Sequence, residues 1–361
     1  MASEQKLQCP ESPSLKRTPS VLKDMEILQK IDILQRGRSL NDEDEHAEEI
    51  LMEPYNYLMK MPGKNIRSVL IDSFQSWLKV PAEHLDVIKE IISKLHNASL
   101  LIDDIEDGSL LRRGAPVAHS IYGEASTINC ANYVYFQAMN DCRKLNNERA
   151  LHFFIVEMLN LHRGQGLDIY WRDNLKCPSI EEYEGMVIDK TGGVFRLAIH
   201  LMQCFSENKT NYVKLANQLG LFFQIRDDFA NLQLDEYTLS KSFCEDITEG
   251  KFSFVIIHAI LSRLDDHRLI NILKKKTSDV NLKKHAVEYM KSLGSFDFTV
   301  STLQALRDSI LEEITTLGGN PLLEKLMHKL CVGVLPGEQV SSTDSLAPAK
   351  EGSVAVAIPP L

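Results

Sequence analysis

Apolar residues recur three and four positions apart over most of the stretch from about residue 47 to residue 331. That spacing places apolar side chains on one face of an α-helix, whereas few runs alternate in the manner of a half-buried strand. The pattern therefore predicts an all-α fold. A length of 361 residues allows one large domain or two smaller ones, and an apolar share of 44% is ample for a substantial core.

The same pattern divides the chain into three parts. Residues 1–46 mix Pro, Ser, Lys and acidic residues, which predicts a disordered N-terminal arm. Residues 332–361 are rich in Val, Ala, Pro, Gly and Ser, carry no helical period, and are predicted to be a disordered tail. The helical region 47–331 between them is the predicted functional domain.

Several helix boundaries can be read from the sequence. Residues 179–182 form a Ser-x-x-Glu capping box, which predicts the start of a helix that reaches Lys190. Asn320-Pro321 places an N-cap residue before a proline suited to the first helical position, and predicts the start of the last helix. Another helix is predicted from about Ala82 to position 107, and at about 39 Å it is long enough to thread the middle of a bundle.

Composition and charge exclude several functions. A net charge of −10 argues against binding nucleic acid through a broad basic surface, because such binding depends on Lys and Arg. The seven cysteines are odd in number and form no Cys-x-x-Cys pair, so neither a zinc site nor a disulfide framework is indicated. No apolar run is long enough for a membrane span, and the N-terminus lacks the apolar core of a signal peptide. We therefore expect a cytoplasmic protein.

Two acid-rich clusters lie far apart in the chain, and in a helix each would present oxygen-bearing side chains four residues apart on one face. Like charges at that spacing destabilise a helix by roughly 0.2–0.5 kcal/mol per pair unless cations neutralise them. An isolated acidic run is usually a solvated helix face, but largely apolar residues precede both clusters and favour a cavity. Mg²⁺ typically binds one or two carboxylates together with substrate phosphates, so the pattern suggests a metal-bridged phosphate substrate. The clusters are Asp103, Asp104, Glu106 and Asp107, and Asp227, Asp228 and Asn231.

Other candidate residues precede the first cluster on the same predicted helix. His96 comes seven residues before Asp103, so the two point the same way about 10 Å apart, although a buried core histidine is the alternative interpretation. Ala98 and Ser99 lie one turn below Asp103. Their small side chains either leave a channel open below a metal site or permit close helix packing.

Basic residues form the counterpart of the acidic clusters. Lys64 and Arg67 fall in the first turns of a helix predicted to begin near Pro62-Gly63, where cations oppose the helix macrodipole. The arrangement becomes favourable if an anion binds, because free backbone N–H groups and both side chains would converge on it. Arg112 and Arg113 follow the first acidic cluster closely enough to reach the same phosphate, although adjacent surface arginines are common.

The acidic clusters belong to a longer series of motifs. Residues 95–107 read LHNASLLIDDIED and are followed by Arg112-Arg113-Gly114, and this segment resembles the first aspartate-rich region of trans-isoprenyl diphosphate synthases. The resemblance is closest to the animal and fungal geranylgeranyl diphosphate synthases and covers roughly 47–331. Five further motifs follow the family's order: 63–67 (GKNIR), 164–171 (GQGLDIYW), 190–193 (KTGG), 223–228 (FQIRDD) and 249–254 (EGKFSF).

The resemblance implies a fold and a reaction. The implied fold is a single-domain helical bundle around a deep central cavity, the isoprenoid synthase fold, with 47–331 as the catalytic domain. The implied reaction joins an allylic diphosphate, most readily farnesyl diphosphate, to isopentenyl diphosphate, and yields geranylgeranyl diphosphate and pyrophosphate. Magnesium is the implied cofactor, and a homodimer or an assembly of dimers is the implied oligomeric state.

The resemblance also implies roles for individual residues. Metal ions would bind Asp103, Asp107 and Asp227, with Asp104, Asp228 and Asp246 in support. Arg112, Lys190, Lys241 and Lys251 would add positive charge near the substrates, and the second diphosphate would bind Lys64, Arg67, His96 and Arg113. Polar groups of Lys190, Thr191 and Gln224 would stabilise the positive carbon. Ala98 and Ser99 would let the growing chain pass, and Tyr135, Phe136 and His162 would close the channel.

This sequence departs from the family's metal motifs at one position. Three alternative functions also stay open. Asn231 replaces the last aspartate of the second motif, although an amide oxygen can still accept or coordinate. The alternatives are a synthase of the shorter geranyl or farnesyl diphosphate, a class I terpene cyclase, and a non-catalytic regulatory subunit. A cyclase does not need a second diphosphate site, so the basic residues above favour the synthase.

Overall fold

The computed structural model describes residues 45–61, 63, 66–233 and 243–336. The described residues are almost wholly helical, which confirms the all-α prediction. Within these ranges the strands are limited to one antiparallel pair, β1 (Leu111–Arg112) and β2 (Ala115–Pro116). The chain divides into two compact units, residues 1–50 and 51–361.

Helix α1 (Glu45–Leu51) lies at the boundary between the two units. The second unit is built from the helices that follow it. In chain order these are α2 (Glu53–Met59), α3 (Ile66–Leu78), α4 (Ala82–Glu106), α5 (Ala118–Tyr122), α6 (Glu124–Lys144), α7 (Glu148–Asn174), α8 (Ile180–Lys190), α9 (Gly192–Cys204), α10 (Val213–Asn231), α11 (Glu245–Glu249), α12 (Phe254–Ser262), α13 (Arg268–Lys274), α14 (Val280–Ser292), α15 (Ser295–Thr316) and α16 (Pro321–Cys331).

Helix α4 runs through the middle of the bundle, as its predicted length suggested. It has 25 residues, and it contacts α2, α3, α5, α6 and α9. Its buried apolar residues include Ile88, Ile92 and Leu95, which follow the three- and four-residue spacing of the sequence. Burying each such side chain contributes about 1.5–3 kcal/mol, so this stripe fixes which face of α4 turns to the core.

Helices α8 and α9 are separated by a single residue, Thr191. Helix α8 begins with the predicted capping box, in which the Ser179 hydroxyl accepts from the Glu182 backbone N–H at 3.1 Å and the Glu182 carboxylate accepts from the Ser179 N–H at 2.7 Å. It ends at Lys190, as predicted. A Cβ on Gly220 would lie 2.8 Å from the Gly192 Cα, so α9 and α10 cross in very close contact just after the break.

The last helix begins where the sequence predicted. Asn320 caps α16 by accepting from the Leu323 N–H at 3.2 Å, and its amide group donates to the Ser73 carbonyl at 2.9 Å. This bond ties the start of α16 to α3. None of the described helices combines the length and apolarity that a bilayer crossing needs.

The predicted arm and tail lie largely outside the described residues. Of the arm, 1–46, the structure describes residues 45–46, at the start of α1. Of the tail, 332–361, it describes residues 332–336, which form turns after α16. The disorder of both segments stays a prediction.

Candidate active site

A cavity of about 780 Å³ lies between α3, α4, α7, α8, α10 and α11. Its volume falls in the range of small-molecule sites. One wall is acidic, and a second acidic group faces the cavity from α10 and α11. Basic side chains complete the lining, so the site is built for charged ligands.

The first acidic wall stands at the C-terminal end of α4. Helix α4 ends at Glu106, and Asp107 is its C-cap residue, whose N–H donates to the Asp103 carbonyl at 2.9 Å. Carboxylates are unfavourable at a helix C-terminus because the macrodipole is negative there. Arg172 of α7 offsets part of this charge: it donates to the Asp107 carboxylate at 2.5 Å and to the Glu106 carbonyl at 2.8 Å.

Carboxylates remain close enough to one another at the acidic wall to raise one another's pKa values. Burial, and then the charge of Asp103, raises the pKa of Asp107 to about 6. Burial also raises the pKa of Glu249 well above its usual value, and Asp107 and Asp246 add to the shift. Burial and like charges both disfavour the ionised carboxylates, and a bound cation would offset both effects. The donor set therefore fits a divalent cation.

Lys190 bridges two carboxylates at the end of α8. Its Nζ lies 2.7 Å from Asp168 Oδ2 and 3.5 Å from Asp103 Oδ1. Burial lowers the pKa of Lys190, but Asp168 and Asp103 outweigh burial and raise it above the usual value. The side chain thus stays a cation at the edge of the acidic wall.

The second acidic group is held by polar contacts beneath it. Asp227 lines the cavity from α10, and Asp246 lines it from α11. Asn231 is buried, and its amide oxygen accepts from the Asp246 backbone N–H at 3.1 Å. Asn231 therefore positions α11, and an amide serves this purpose because only an oxygen acceptor is needed.

Two aspartates of the motifs are turned away from the cavity. Asp104 is 1% exposed and accepts from Arg112 Nε at 2.8 Å, while the same guanidinium reaches Asp103 Oδ2 at 3.4 Å. Asp228 is 2% exposed and is held by Tyr183. Neither lines the cavity, but each contacts a side chain that does: Asp104 contacts Arg112, and Asp228 contacts Gln224. The supporting role of both aspartates in catalysis stays a prediction.

The predicted basic group is assembled from α3, α4 and the turn between β1 and β2. Arg67 Nη1 lies 2.7 Å from His96 Nε2, and because arginine only donates, the His96 ring proton is on Nδ1. Burial, then Arg67 and Arg113, lowers the pKa of His96 well below its usual value, so the ring is neutral. Burial and Arg113 lower the pKa of Arg67 to about 10. Arg67 and Arg113 repel each other across this group, and a bound anion would relieve that repulsion.

One family model, described as Polyprenyl synthetase, matches residues 48–290. The chain belongs to the polyprenyl synthetase family. A "Geranylgeranyl pyrophosphate synthase" of Dictyostelium discoideum is 55% identical over 280 residues, covering 78% of this chain and 92% of that protein. A protein of the same name from Mucor circinelloides f. lusitanicus is 50% identical over 290 residues, covering 80% and 96%. A "Terpene synthase" of Matsumurasca onukii is 54% identical over 290 residues, also covering 80% and 96%.

The family and the relatives bear on three parts of the sequence interpretation: the fold, the class of reaction and the resemblance itself. The polyprenyl synthetase family has the all-α isoprenoid synthase fold, in agreement with the helices described here. Its members are prenyltransferases that generally depend on Mg²⁺. The predicted resemblance to geranylgeranyl diphosphate synthases is likewise confirmed.

The predicted channel floor is corrected at two positions of this polyprenyl synthetase. Ser99, Tyr135 and His162 line the cavity, with the Tyr135 and His162 rings 6.0 Å apart. Ala98 is instead completely buried between α4 and α6, and Phe136 is 70% exposed. Each lies one position from a lining residue, and one position turns a helical side chain by about 100°. Neither belongs to the floor in this structure.

The remaining predicted residues are also accounted for. Thr191, Gln224 and Lys251 line the cavity, and the Thr191 hydroxyl donates to Gln224 Oε1 at 2.9 Å. Lys64 and Lys241 lie outside the described residues.

Sequence reasoning gave no role to four residues that pair with motif side chains. Two of them neutralise charges at the cavity, and two donate hydrogen bonds to motif carboxylates and so orient them. Three of the four fall in or directly beside the 164–171 motif, so that motif could have pointed to them. The fourth lies in α8, seven residues before Lys190. They are Gln165, Asp168, Arg172 and Tyr183.

Proposed function

We propose that this polyprenyl synthetase condenses an allylic diphosphate, most readily farnesyl diphosphate, with isopentenyl diphosphate to give geranylgeranyl diphosphate and pyrophosphate. The observation that carries the proposal is that one cavity contains both an acidic wall and a separate basic group. The acidic wall suits a diphosphate bound through metal ions, and the basic group suits a second diphosphate bound directly. The names of the Dictyostelium and Mucor relatives support the product.

The metal ligands in this proposal are Asp103, Asp107 and Asp227. Within the described residues, no group of three or more His, Cys, Asp or Glu side chains is spaced to hold a metal by itself. Mg²⁺ is usually held by one or two carboxylates together with water and substrate phosphates, so the proposed site would be completed by the diphosphate. When bound, Mg²⁺ supplies positive charge that stabilises a departing diphosphate.

The chain's own residues then divide the remaining work. Lys190 and Arg112 add fixed positive charge beside the allylic diphosphate, whose carbon–oxygen bond breaks to leave an allylic cation. Arg67, His96 and Arg113 hold isopentenyl diphosphate so that its double bond can attack the cation. The new carbon–carbon bond leaves a second cation, which loses a proton to the released pyrophosphate. No nucleophilic side chain is required.

A terpene cyclase is the second candidate, and the name of the Matsumurasca onukii relative favours it. A cyclase would bind one diphosphate, so it would have no use for the group formed by Arg67, His96 and Arg113. A synthase of shorter diphosphates would fit the family, but the small Ser99 side chain would let a longer chain pass. A non-catalytic subunit would also fit the family, but it would have no use for a complete acidic wall. We propose further that the protein is a cytoplasmic homodimer or assembly of dimers.

The experiment is a product analysis of the purified full-length protein with Mg²⁺. We expect geranylgeranyl diphosphate when farnesyl and isopentenyl diphosphates are both present, and no hydrocarbon from farnesyl diphosphate alone. Hydrocarbon from farnesyl diphosphate alone would identify a cyclase, and no turnover with both substrates would identify a regulatory subunit. Calorimetry adds a second readout: pyrophosphate should bind far more tightly with Mg²⁺ than without it, and equal affinities would refute the metal assignment.

A further inference from the structure

The Asp228 carboxylate accepts hydrogen bonds at both of its oxygen atoms. Its Oδ2 accepts from the Tyr183 hydroxyl at 2.6 Å and from the Phe254 backbone N–H at 2.9 Å. Its Oδ1 accepts from Gln224 Nε2 at 2.8 Å, and Lys251 Nζ lies 3.8 Å away. The carboxylate is 2% exposed and lies behind the cavity wall. It therefore acts on the cavity through its neighbours.

These hydrogen bonds fix which group donates and which group accepts at each side chain of the network. An ionised carboxylate only accepts, so Gln224 must turn its NH₂ group to Asp228 and its carbonyl oxygen the other way. That oxygen accepts the Thr191 hydroxyl proton at 2.9 Å. Thr191 has then donated its only proton, and its oxygen keeps lone pairs for other partners. Both Thr191 and Gln224 line the cavity, so the oxygen atoms of both side chains are within reach of a bound substrate.

Tyr183 is the side chain that anchors this network from behind. It is 1% exposed, and burial together with Asp228 raises the pKa of its hydroxyl well above the usual value, so it stays a donor. It precedes Lys190 by seven residues in α8, almost two turns, which places both on one face of the helix. The face of α8 that places Lys190 at the cavity thus also carries Tyr183, which holds Asp228 in position.

We propose that Tyr183 is a positioning residue which, through Asp228, sets the orientation of Gln224 and Thr191 so that their oxygens stabilise the carbocation. This inference rests on the proposed function. It also assigns Asp228 the role of orienting dipoles, in place of a role beside the metal ions. Tyr183 itself does not line the cavity.

The primary test is Tyr183→Phe, which removes one hydroxyl and leaves the ring in place. We expect kcat to fall about tenfold while the KM values for both diphosphates stay within about twofold, because the network acts on the transition state. Tyr212→Phe is the matched control: Tyr212 is 2% exposed, its hydroxyl is hydrogen-bonded to Asn208 at 2.9 Å, and it does not line the cavity. The control should lose a similar amount of stability and keep its kcat.

A substituted substrate separates positioning from a general structural defect. Fluorine on the allylic carbons withdraws electrons and slows formation of the cation. If Tyr183 sets the dipoles that stabilise this cation, Tyr183→Phe should slow the fluorinated substrate more than the natural one, by an additional factor of about three or more. A loosened fold would slow both substrates equally.

A double mutant provides a readout that a poorly folding single variant cannot obscure. Thr191→Val removes the last hydroxyl of the network while keeping a β-branched side chain. If Tyr183 acts partly through Thr191 and partly through Gln224, adding Tyr183→Phe to Thr191→Val should lower kcat by clearly less than Tyr183→Phe does alone. Multiplied effects of the two substitutions would overturn the proposal.

The outcomes distinguish this inference from the proposed function. A wild-type protein that makes no prenyl diphosphate would refute the function itself. An active wild type, with Tyr183→Phe retaining kcat within twofold and the same response to fluorine, would refute the positioning role alone.

Discussion

Replacing Gly164 by alanine tests how Lys190 is positioned. A Cβ on Gly164 of α7 would lie 2.6 Å from the Lys190 backbone nitrogen and 2.8 Å from the Met186 carbonyl oxygen of α8. Both are backbone atoms, so the helices must move apart, since no side chain can rotate out of the way. Gly166 lies two residues further along α7, and a Cβ there would meet nothing within 4 Å, which makes Gly166→Ala the matched control.

The expected magnitudes follow from two opposing effects. Alanine favours a helix over glycine by about 1 kcal/mol, and both variants share this gain. Overpacking costs about 1–3 kcal/mol and applies to Gly164→Ala alone. The free energy of unfolding of Gly164→Ala should therefore be about 1–3 kcal/mol below that of Gly166→Ala. Displacing Lys190, whose Nζ lies 2.7 Å from Asp168, should also lower kcat/KM about tenfold or more.

The assay is urea unfolding followed by circular dichroism, with both variants at the same protein concentration because oligomers unfold in a concentration-dependent way. Steady-state kinetics with farnesyl and isopentenyl diphosphates gives kcat/KM. If Gly164→Ala matches Gly166→Ala in both measurements, the close approach of α7 and α8 does not position Lys190.

Three further predictions concern the cavity and the fold. Ser99→Phe should shorten the product, and an unchanged length distribution by chromatography would contradict the lining role of Ser99. Arg67→Gln should raise the KM for isopentenyl diphosphate about tenfold and leave that for the allylic substrate unchanged in kinetic assays, because Arg67 belongs to the basic group. Burial raises the pKa of Asp141, but Lys94 and Lys144 outweigh it and lower the pKa. Asp141→Asn should therefore cost about 1 kcal/mol near neutral pH, and denaturation curves should show this difference vanish as the pH falls below 3.8.

The local features of the fold could be predicted because they depend on neighbouring residues. The capping box at 179–182 fixed the start of α8, and Asn320-Pro321 fixed the start of α16. The spacing of apolar residues gave the course of α4, whose 25 residues end within one position of the predicted boundary. Periodicity and capping act within one or two turns, so one segment contains the information.

The pairing of distant residues could not be predicted in the same way. Arg172 contacts Asp107, and Tyr183 contacts Asp228, across 65 and 45 positions of sequence. Nothing in either segment specifies its partner, because such contacts depend on how complete helices pack. The available signal was weak: Arg172 directly follows a recognised motif, and Tyr183 shares a helix face with Lys190.

The sequence by itself determined that the chain is helical, where its main helices begin, and which motifs carry carboxylates and cations. Only the tertiary structure decided which side chains of those motifs reach the cavity. Asp103 lines it and Asp104 does not, and the same holds for Ser99 and Ala98. The physical reason is that neighbours on a helix point about 100° apart, so the packing of the surrounding helices determines which of two adjacent residues can touch a substrate.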